Sequence, residues 1–292
     1  MSSAEPVFAV VGPGAVGGLL AWLLSRAGHE VVAVGRPATV EAIRADGIEV
    51  RSATFGDGVE RVSASTEVPR GARVIVATKA YGLDDVLPGI AAARPVEVLS
   101  VLNGVEHMAP LRAALPESAV AGGSVTVSAL RASSTVIDHR SPFLNVEVPE
   151  AAGDFAIVRA LSDAGPRVRT GGTEADVLWA KFRLLSALAL LTSYWRQSAG
   201  PALSEDPELT EAVVSEIAAC STAEGVAASS LELVRALHSV PGGLRTSLQE
   251  DLAAGRPSEL DALGGALVRV GARHDVATPA IARIVAALGS NA

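Results

Sequence analysis

Cysteine is nearly absent: Cys220 is the single one in 292 residues. That excludes an intrachain disulfide framework and any zinc site built on cysteines. It fits a reduced, buried thiol in a cytoplasmic protein. Lysine is almost as scarce. Of the 24 basic residues 22 are arginine, leaving Lys79 and Lys181. A guanidinium essentially never loses its proton, whereas a buried ammonium does so readily. The two lysines are therefore candidates for places that need a compact, titratable cation, with chance survival in an arginine-rich chain as the alternative. Positive charge is also outnumbered, 24 against 32 acidic residues, for a formal net charge of −8. This argues against nucleic acid or an anionic membrane as the main partner.

Other signatures are missing as well. There is no G-x-S-x-G elbow and no Walker pattern. The five histidines (29, 107, 139, 238 and 274) show no ligand spacing, so no metal site is expected. Asp138-His139 reads as structural or exposed, and Trp179, Tyr194 and Trp195 read as packing. Residues 7–24 are free of charge and long enough to suggest a membrane span. However, four glycines and a proline interrupt the run, no basic segment precedes it, and no small-residue cleavage site follows. It reads better as a buried strand (Val7 to Val11), a glycine turn and a helix (about Val16 to Ala27).

What is present is ample core material, 49% hydrophobic residues. Strand-like and helix-like segments alternate: His29 to Val34, Ala38 to Asp46, Arg73 to Ala77, Leu83 to Ala93, Val96 to Val101 and His107 to Ala114. Such alternation implies a parallel sheet covered on both faces. Gly47 to Ser65 reads as short irregular strands. Residues 118–148 read as further strands, partly antiparallel, that extend the sheet. Ala151 to Ala164 reads as a helix and Arg167 to Thr170 as a last strand. From Thr173 the strand signal stops. Helices are expected to about Tyr194, then at about 208–224, 230–238, 246–253, 258–273 and 279–288. The expected division is 1–171, a Rossmann-type α/β domain, and 172–292, an all-helical domain.

Gly12-Pro13-Gly14-Ala15-Val16-Gly17 fits G-x-G-x-x-G between a strand and a helix. The first glycine permits the tight turn, the second lets the backbone approach a pyrophosphate, and the third allows helix-to-strand packing. The helix N-terminus, starting at Ala15 and Val16, then offers N–H groups to phosphates. The residue after the second strand selects the dinucleotide. Here the chain reads Val34-Gly35-Arg36-Pro37, with no acid before Glu41. Arg36 suits a 2′-phosphate, so NADPH/NADP is favoured over NADH, against a solvated surface arginine as the alternative.

Four further segments resemble the ketopantoate reductase (2-dehydropantoate 2-reductase) family. They are Ala77-Thr78-Lys79-Ala80; Leu102-Asn103-Gly104-Val105; Trp179-Ala180-Lys181-Phe182; and Ser247 to Leu252 with Gly255 to Asp261 and Ala277-Thr278-Pro279. The resemblance implies a C-terminal domain like that of 6-phosphogluconate dehydrogenase, a place in pantothenate biosynthesis, and a homodimer as one expected assembly. It implies Lys181 as the general acid, with Glu259 holding a substrate hydroxyl and positioning Lys181. It also implies Ser247, Asn103 and the position of Leu185 at the substrate, Asn103 near the nicotinamide, and Lys79 and Arg36 at the cofactor phosphate. Hydride addition to a ketone leaves negative charge on oxygen, which a partly desolvated lysine can neutralise with a proton. Such a lysine is expected across a cleft from the nicotinamide, outside the C-terminal ends of the strands.

The sequence departs from the family pattern at Leu185 and Ala189, where asparagines are usual four and eight residues beyond the catalytic lysine. Residues four apart share a helical face, so two amides are gone beside Lys181. A less polar substrate, substitution by Ser186 or Thr192, or lost activity would each account for this. The expectation is NADPH-dependent reduction of a small 2-oxo acid or related ketone, with ketopantoate to pantoate leading. Reduction of another carbonyl in a specialised pathway and a non-catalytic NADP-binding sensor stay open beside it.

Overall fold

The computed structural model describes residues 6–290, and its contacts group the chain into two compact units. The first takes the chain to Leu102 and His107–Val177; the second takes Asn103–Glu106 and everything from Leu178 on.

In chain order the first unit holds β1 (Phe8–Val11), α1 (Ala15–Arg26), β2 (Val31–Val34), α2 (Pro37–Asp46), β3 (Ile48–Ser52), β4 (Gly58–Glu60), β5 (Ser63–Ser65), β6 (Arg73–Val76) and α3 (Leu83–Ala93). It continues with β7 (Glu97–Ser100), α4 (Met108–Ala114), β8 (Ala119–Gly122), β9 (Ser124–Thr126), β10 (Ala129–Arg131), β11 (Val136–His139), β12 (Asn145–Val148), α5 (Ala156–Asp163) and β13 (Arg167–Thr170). Six strands form a parallel sheet in the order β5-β2-β1-β6-β7-β8. All of β1 and the Val74–Val76 stretch of β6 are buried, as expected for strands covered on both faces. The order reverses between β1 and β6. In open α/β sheets that switch point leaves a crevice outside the strands' carboxyl ends, where ligands bind.

The strands around residues 118–148 do not all extend this sheet, as the sequence suggested. Only β8 joins it. The others form a four-stranded sheet, β10-β11-β3-β4, and a three-stranded one, β13-β12-β9. Burial alternates along β3, with Ile48, Val50 and Ser52 buried and Arg51 exposed, the mark of a sheet with one solvated face. Its buried face lies on α1. Ile137 of β11 occupies the space beside Gly18, and Trp22 Nε1 donates to Gly58 O at 3.2 Å. Helix α1 is thus enclosed, and Gly17 through Leu24 are all buried. A helix apolar all round is one packed on every side, which explains the membrane-like look of residues 7–24. Among the described residues no helix is long and apolar enough to cross a membrane.

Helix α5 is shorter than expected. The Glu97 carboxylate accepts from the N–H groups of Ala156 and Ile157 at 3.0 and 3.1 Å, so the helix starts there. The residues before it form a 3-10 turn at Glu150–Ala152.

Helix α6 (Glu174–Trp195) starts at a reciprocal cap: Asp176 N–H donates to Thr173 Oγ1 at 3.2 Å, and Thr173 N–H donates to Asp176 Oδ2 at 2.8 Å. Then follow α7 (Ala199–Glu205), α8 (Pro207–Ala223), α9 (Ser230–His238), α10 (Ser247–Ala253), α11 (Ala266–Arg273) and α12 (Pro279–Gly289). Two features differ from expectation. The short α7 had no clear sequence signal; Asp206, whose Oδ1 accepts from Leu209 N–H, ends it by starting α8. The stretch 258–273 is not one regular helix, because Asp261–Gly265 is a π-helical turn ahead of α11. Such turns concentrate at functional sites, and Glu259 lies just before this one.

Candidate active site

The glycine turn joins β1 to α1 at the switch point. Gly12 has φ +88°, and a Cβ there would meet the backbone N of Thr78, just past β6, at 2.8 Å. A Cβ on Gly17 would collide with the Gly12 carbonyl. Both positions are thus closed by the protein itself. Gly14 differs: a Cβ there would meet nothing within 4 Å. It is the N-cap of α1 and has no side chain to cap it. The N–H groups of Ala15, Val16 and Gly17 belong to the first turn, where no intrahelical acceptor exists. Open space above free N–H groups fits a dinucleotide pyrophosphate. Gly35, at the end of β2, lies against Pro13, with 3.2 Å from its would-be Cβ to the ring. Arg36 follows as the N-cap of α2, exposed, and its side chain makes no hydrogen bond or ion pair among the described residues. Lys79 is half-buried and opens the 3-10 turn Ala80–Gly82 beyond β6.

The second unit gathers three of the other predicted residues. Lys181 Nζ donates to Asn103 Oδ1 at 2.8 Å, and Asn103 Nδ2 donates to Glu259 Oε2 at 3.1 Å. One amide therefore joins the ammonium to the carboxylate, its oxygen toward one and its nitrogen toward the other. Glu259 is 4% exposed. Burial pushes the Lys181 ammonium down to about 8, against the opposing pull of the Glu259 charge. A half-buried lysine held there by a carboxylate is protonated at neutral pH yet able to release its proton.

The chain has a specific way of putting Asn103 in this place. Gly104 adopts φ +100°, and a Cβ on it would come within 3.1 Å of the Ala262 carbonyl in the π-helical turn. Glu106 then receives Arg269 Nη2 at 2.7 Å and Arg273 Nη1 at 3.3 Å, while Arg269 Nη1 reaches Asp261 Oδ1 at 2.7 Å. These contacts fasten the segment 103–106 to the helices. Sequence reasoning missed the clamp, because its partners lie more than 150 residues apart.

Along α6 the face beyond Lys181 carries Leu185, half-buried, and Ala189, 1% exposed. Ser186 and Thr192 do not stand in for the missing amides. The Ser186 hydroxyl donates back to Phe182 O, and the Thr192 hydroxyl bonds to Leu188 O at 2.7 Å and to Thr246 Oγ1 at 2.9 Å. That last bond, absent from the sequence reading, ties α10 to α6 through the residue that caps α10. Ser247, the first residue of α10, is exposed, and its hydroxyl makes no hydrogen bond among the described residues; the structure does not join it to the Lys181 cluster.

The residues set aside in the sequence prove structural. His139 is buried between Ser52 Oγ at 2.8 Å, Ser141 Oγ at 3.2 Å and Phe143 O at 3.1 Å, and it stacks on Phe55. Trp179 packs edge-on against Phe182. Cys220 is fully buried, and its thiol is pushed up to about 11, first by burial.

Comparison with known proteins covers both units. The family described as ketopantoate reductase PanE/ApbA matches residues 8–153, and its C-terminal counterpart matches residues 175–291. A 2-dehydropantoate 2-reductase of Caulobacter vibrioides is 34% identical over 97% of this chain and 98% of its own. An uncharacterized oxidoreductase of Bacillus subtilis, YkpB, is 28% identical over 96% of this chain and 97% of its own. The crystal structure of a PanE/ApbA family ketopantoate reductase from Ralstonia eutropha superimposes with a TM-score of 0.89 at 29% identity, covering 97% of each chain.

Proposed function

Since this chain belongs to the ketopantoate reductase family, an NADPH-using group of oxidoreductases acting on CH–OH and C=O, we propose that it reduces the ketone of a small 2-oxo acid to the alcohol, with ketopantoate to pantoate as the leading reaction. The observation that carries the reading is the chain Lys181–Asn103–Glu259, with the ammonium poised near neutrality.

Gly12, Gly14, Ala15, Val16 and Gly17 would cradle the pyrophosphate, and Arg36 and Lys79 would face the remaining phosphate. When bound, NADPH supplies the hydride. The Lys181 Nζ hydrogen-bonds the carbonyl oxygen and delivers its proton there as negative charge develops. Hydride to carbon and proton to oxygen account for the two hydrogens the alcohol gains. Asn103 holds Nζ in place through its amide oxygen. Glu259 keeps the amide turned that way and offers its carboxylate to a substrate hydroxyl. Ser247 would bind substrate from the start of α10.

A second reading shares the chemistry and changes the substrate: a 2-oxo acid with a less polar side chain. Leu185 and Ala189 favour it, since neither they nor the occupied hydroxyls of Ser186 and Thr192 offer a free hydrogen bond. Sites built to bind a hydroxyl discriminate by their polar groups, while apolar walls do so only weakly. The test is NADPH oxidation with ketopantoate and with a panel of 2-oxo acids bearing apolar side chains. Turnover of about 1 per second or more is expected for the true substrate. Lys181→Ala should lower that rate by at least ~100-fold. A near-normal rate in the variant, or NADPH binding with no ketone reduced, would overturn the reductase reading.

A further inference from the structure

Arg36 is not the only cation beside the glycine turn. Arg131 is the last residue of β10, half-buried, and its register partner on β11 is Ile137. Ile137 fills the space beside Gly18, one turn into α1. The hairpin thus sets Arg131 next to the start of the helix whose N-terminus follows Gly14. Its guanidinium is fixed by its own turn: Nε donates to Ser133 O at 3.1 Å and Nη2 to Ser134 O at 3.3 Å. No carboxylate pairs with either Arg36 or Arg131 among the described residues. Gly35, the residue before Arg36, lies against Pro13 of the same turn, so the two arginines flank it from either side; burial and then the Arg36 guanidinium hold Arg131 below the usual arginine range.

Two guanidiniums that flank one turn without a carboxylate repel one another, and the fold spends two backbone carbonyls on keeping one of them there. A phosphate monoester relieves the repulsion, because each guanidinium can direct N–H groups at its oxygens. We propose that Arg131, with Arg36, forms a two-arginine clamp for the 2′-phosphate of the dinucleotide, and so is a specificity-determining residue for NADPH. The inference rests on the NADPH reading above. It adds a residue from β10, about 95 positions beyond the loop that usually sets dinucleotide choice.

The experiment is a binding titration without substrate, following the nucleotide's fluorescence for NADPH and for NADH. Arg131→Gln removes the charge and retains an amide that can still reach the turn carbonyls; Arg131→Ala removes both. Arg36→Ala serves as the reference. Both Arg131 variants should raise the NADPH dissociation constant by at least ~5-fold, with NADH moving less than ~2-fold. Competition by 2′,5′-ADP should weaken to the same extent, while competition by 5′-ADP should not. Inorganic phosphate tests the other source of the same chemistry, and protection of wild type by phosphate alone, with no discrimination between the two nucleotides, would overturn the clamp. So would equal losses for NADPH and NADH, which would make Arg131 a mere tie for the hairpin. If wild type prefers NADPH and Arg131→Gln keeps that preference, this inference alone falls. If wild type shows no preference, the NADPH assignment falls with it.

Discussion

Replacing Glu259 by glutamine tests the electrostatic core of the mechanism. The side chain keeps nearly the same shape and loses its charge. Burial lowers the Lys181 ammonium, and the Glu259 charge opposes that, leaving it at about 8. Two unit charges about 6 Å apart, roughly the span of one bridging amide, interact by about 3 kcal/mol at an effective permittivity near 20. That is about 2 pK units. The ammonium in Glu259→Gln should therefore titrate near pH 6. A general acid works only while protonated, so the rate under saturating ketone falls as pH rises through this value. Wild type should hold its rate to about pH 8, whereas the variant should lose about 10-fold by pH 7 and recover near pH 5. The assay is NADPH consumption across a pH series, with the Michaelis constant measured at each point, because Glu259 is also proposed to hold a substrate hydroxyl. Lys181→Arg is the control: a guanidinium does not deprotonate, so its slow residual rate should show no alkaline limb. An alkaline limb left unmoved by Glu259→Gln would refute the coupling. A uniform loss with no recovery in acid would show that the carboxylate serves the substrate and not the lysine.

The glycine turn separates space for ligand from space for protein. Gly14→Ala should leave the melting temperature within a degree or two and weaken NADPH binding at least ~10-fold, whereas Gly17→Ala should lower the melting temperature outright, because its Cβ collides with the Gly12 carbonyl. Equal behaviour of the two variants would count against the cradle. His107 is 7% exposed, neither ring nitrogen has a partner among the described residues, and burial, partly offset by the Glu174 charge, pushes it down to about 4. The unfolded chain takes up that proton near pH 6.5, so stability rises with pH across the window from 4 to 6.5, and acidification removes up to about 3 kcal/mol; denaturant melts of wild type and His107→Gln should differ in slope against pH across that window, and equal slopes would clear this histidine of responsibility. Leu185→Asn combined with Ala189→Asn should raise kcat/KM for ketopantoate relative to an apolar 2-oxo acid by at least ~10-fold, and an unchanged ratio would remove that face from substrate choice.

The parallel sheet was legible because its strands are continuous apolar runs and its turns are marked by glycine. Its first strand shows both marks: Phe8–Val11 is buried along its whole length, and Gly12 follows at once. The secondary sheets were harder. Which partner each strand of the four-stranded sheet takes depends on α1 lying beneath it, a contact made far along the chain. The π-helical turn also escaped, since its apolar spacing over residues 261–265 differs little from that of an ordinary helix. At the site, the resemblance already paired Glu259 with Lys181, but the Asn103 amide that joins them was not legible. Its hydrogen bonds span 78 and 156 positions, a scale on which periodicity and local propensity carry no information.

That joining changes what the scarcity of lysine means. Were composition alone at work, a lysine in a buried place would be replaced by arginine as readily as elsewhere, and its cost would be only that of burying a charge. On the proposed mechanism, the site of Lys181 demands more. It needs a single point donor 2.8 Å from one amide oxygen, and a cation whose proton is removable near neutrality. Arginine meets neither demand, because its charge is spread over a planar fork and its proton does not leave. The carboxylate beyond the amide then sets how removable the proton is, and Gly104, Glu106 and Arg269 set where the amide lies. A position that fixes the side-chain type, its protonation and its partner together leaves one residue that satisfies all three, and that residue is lysine.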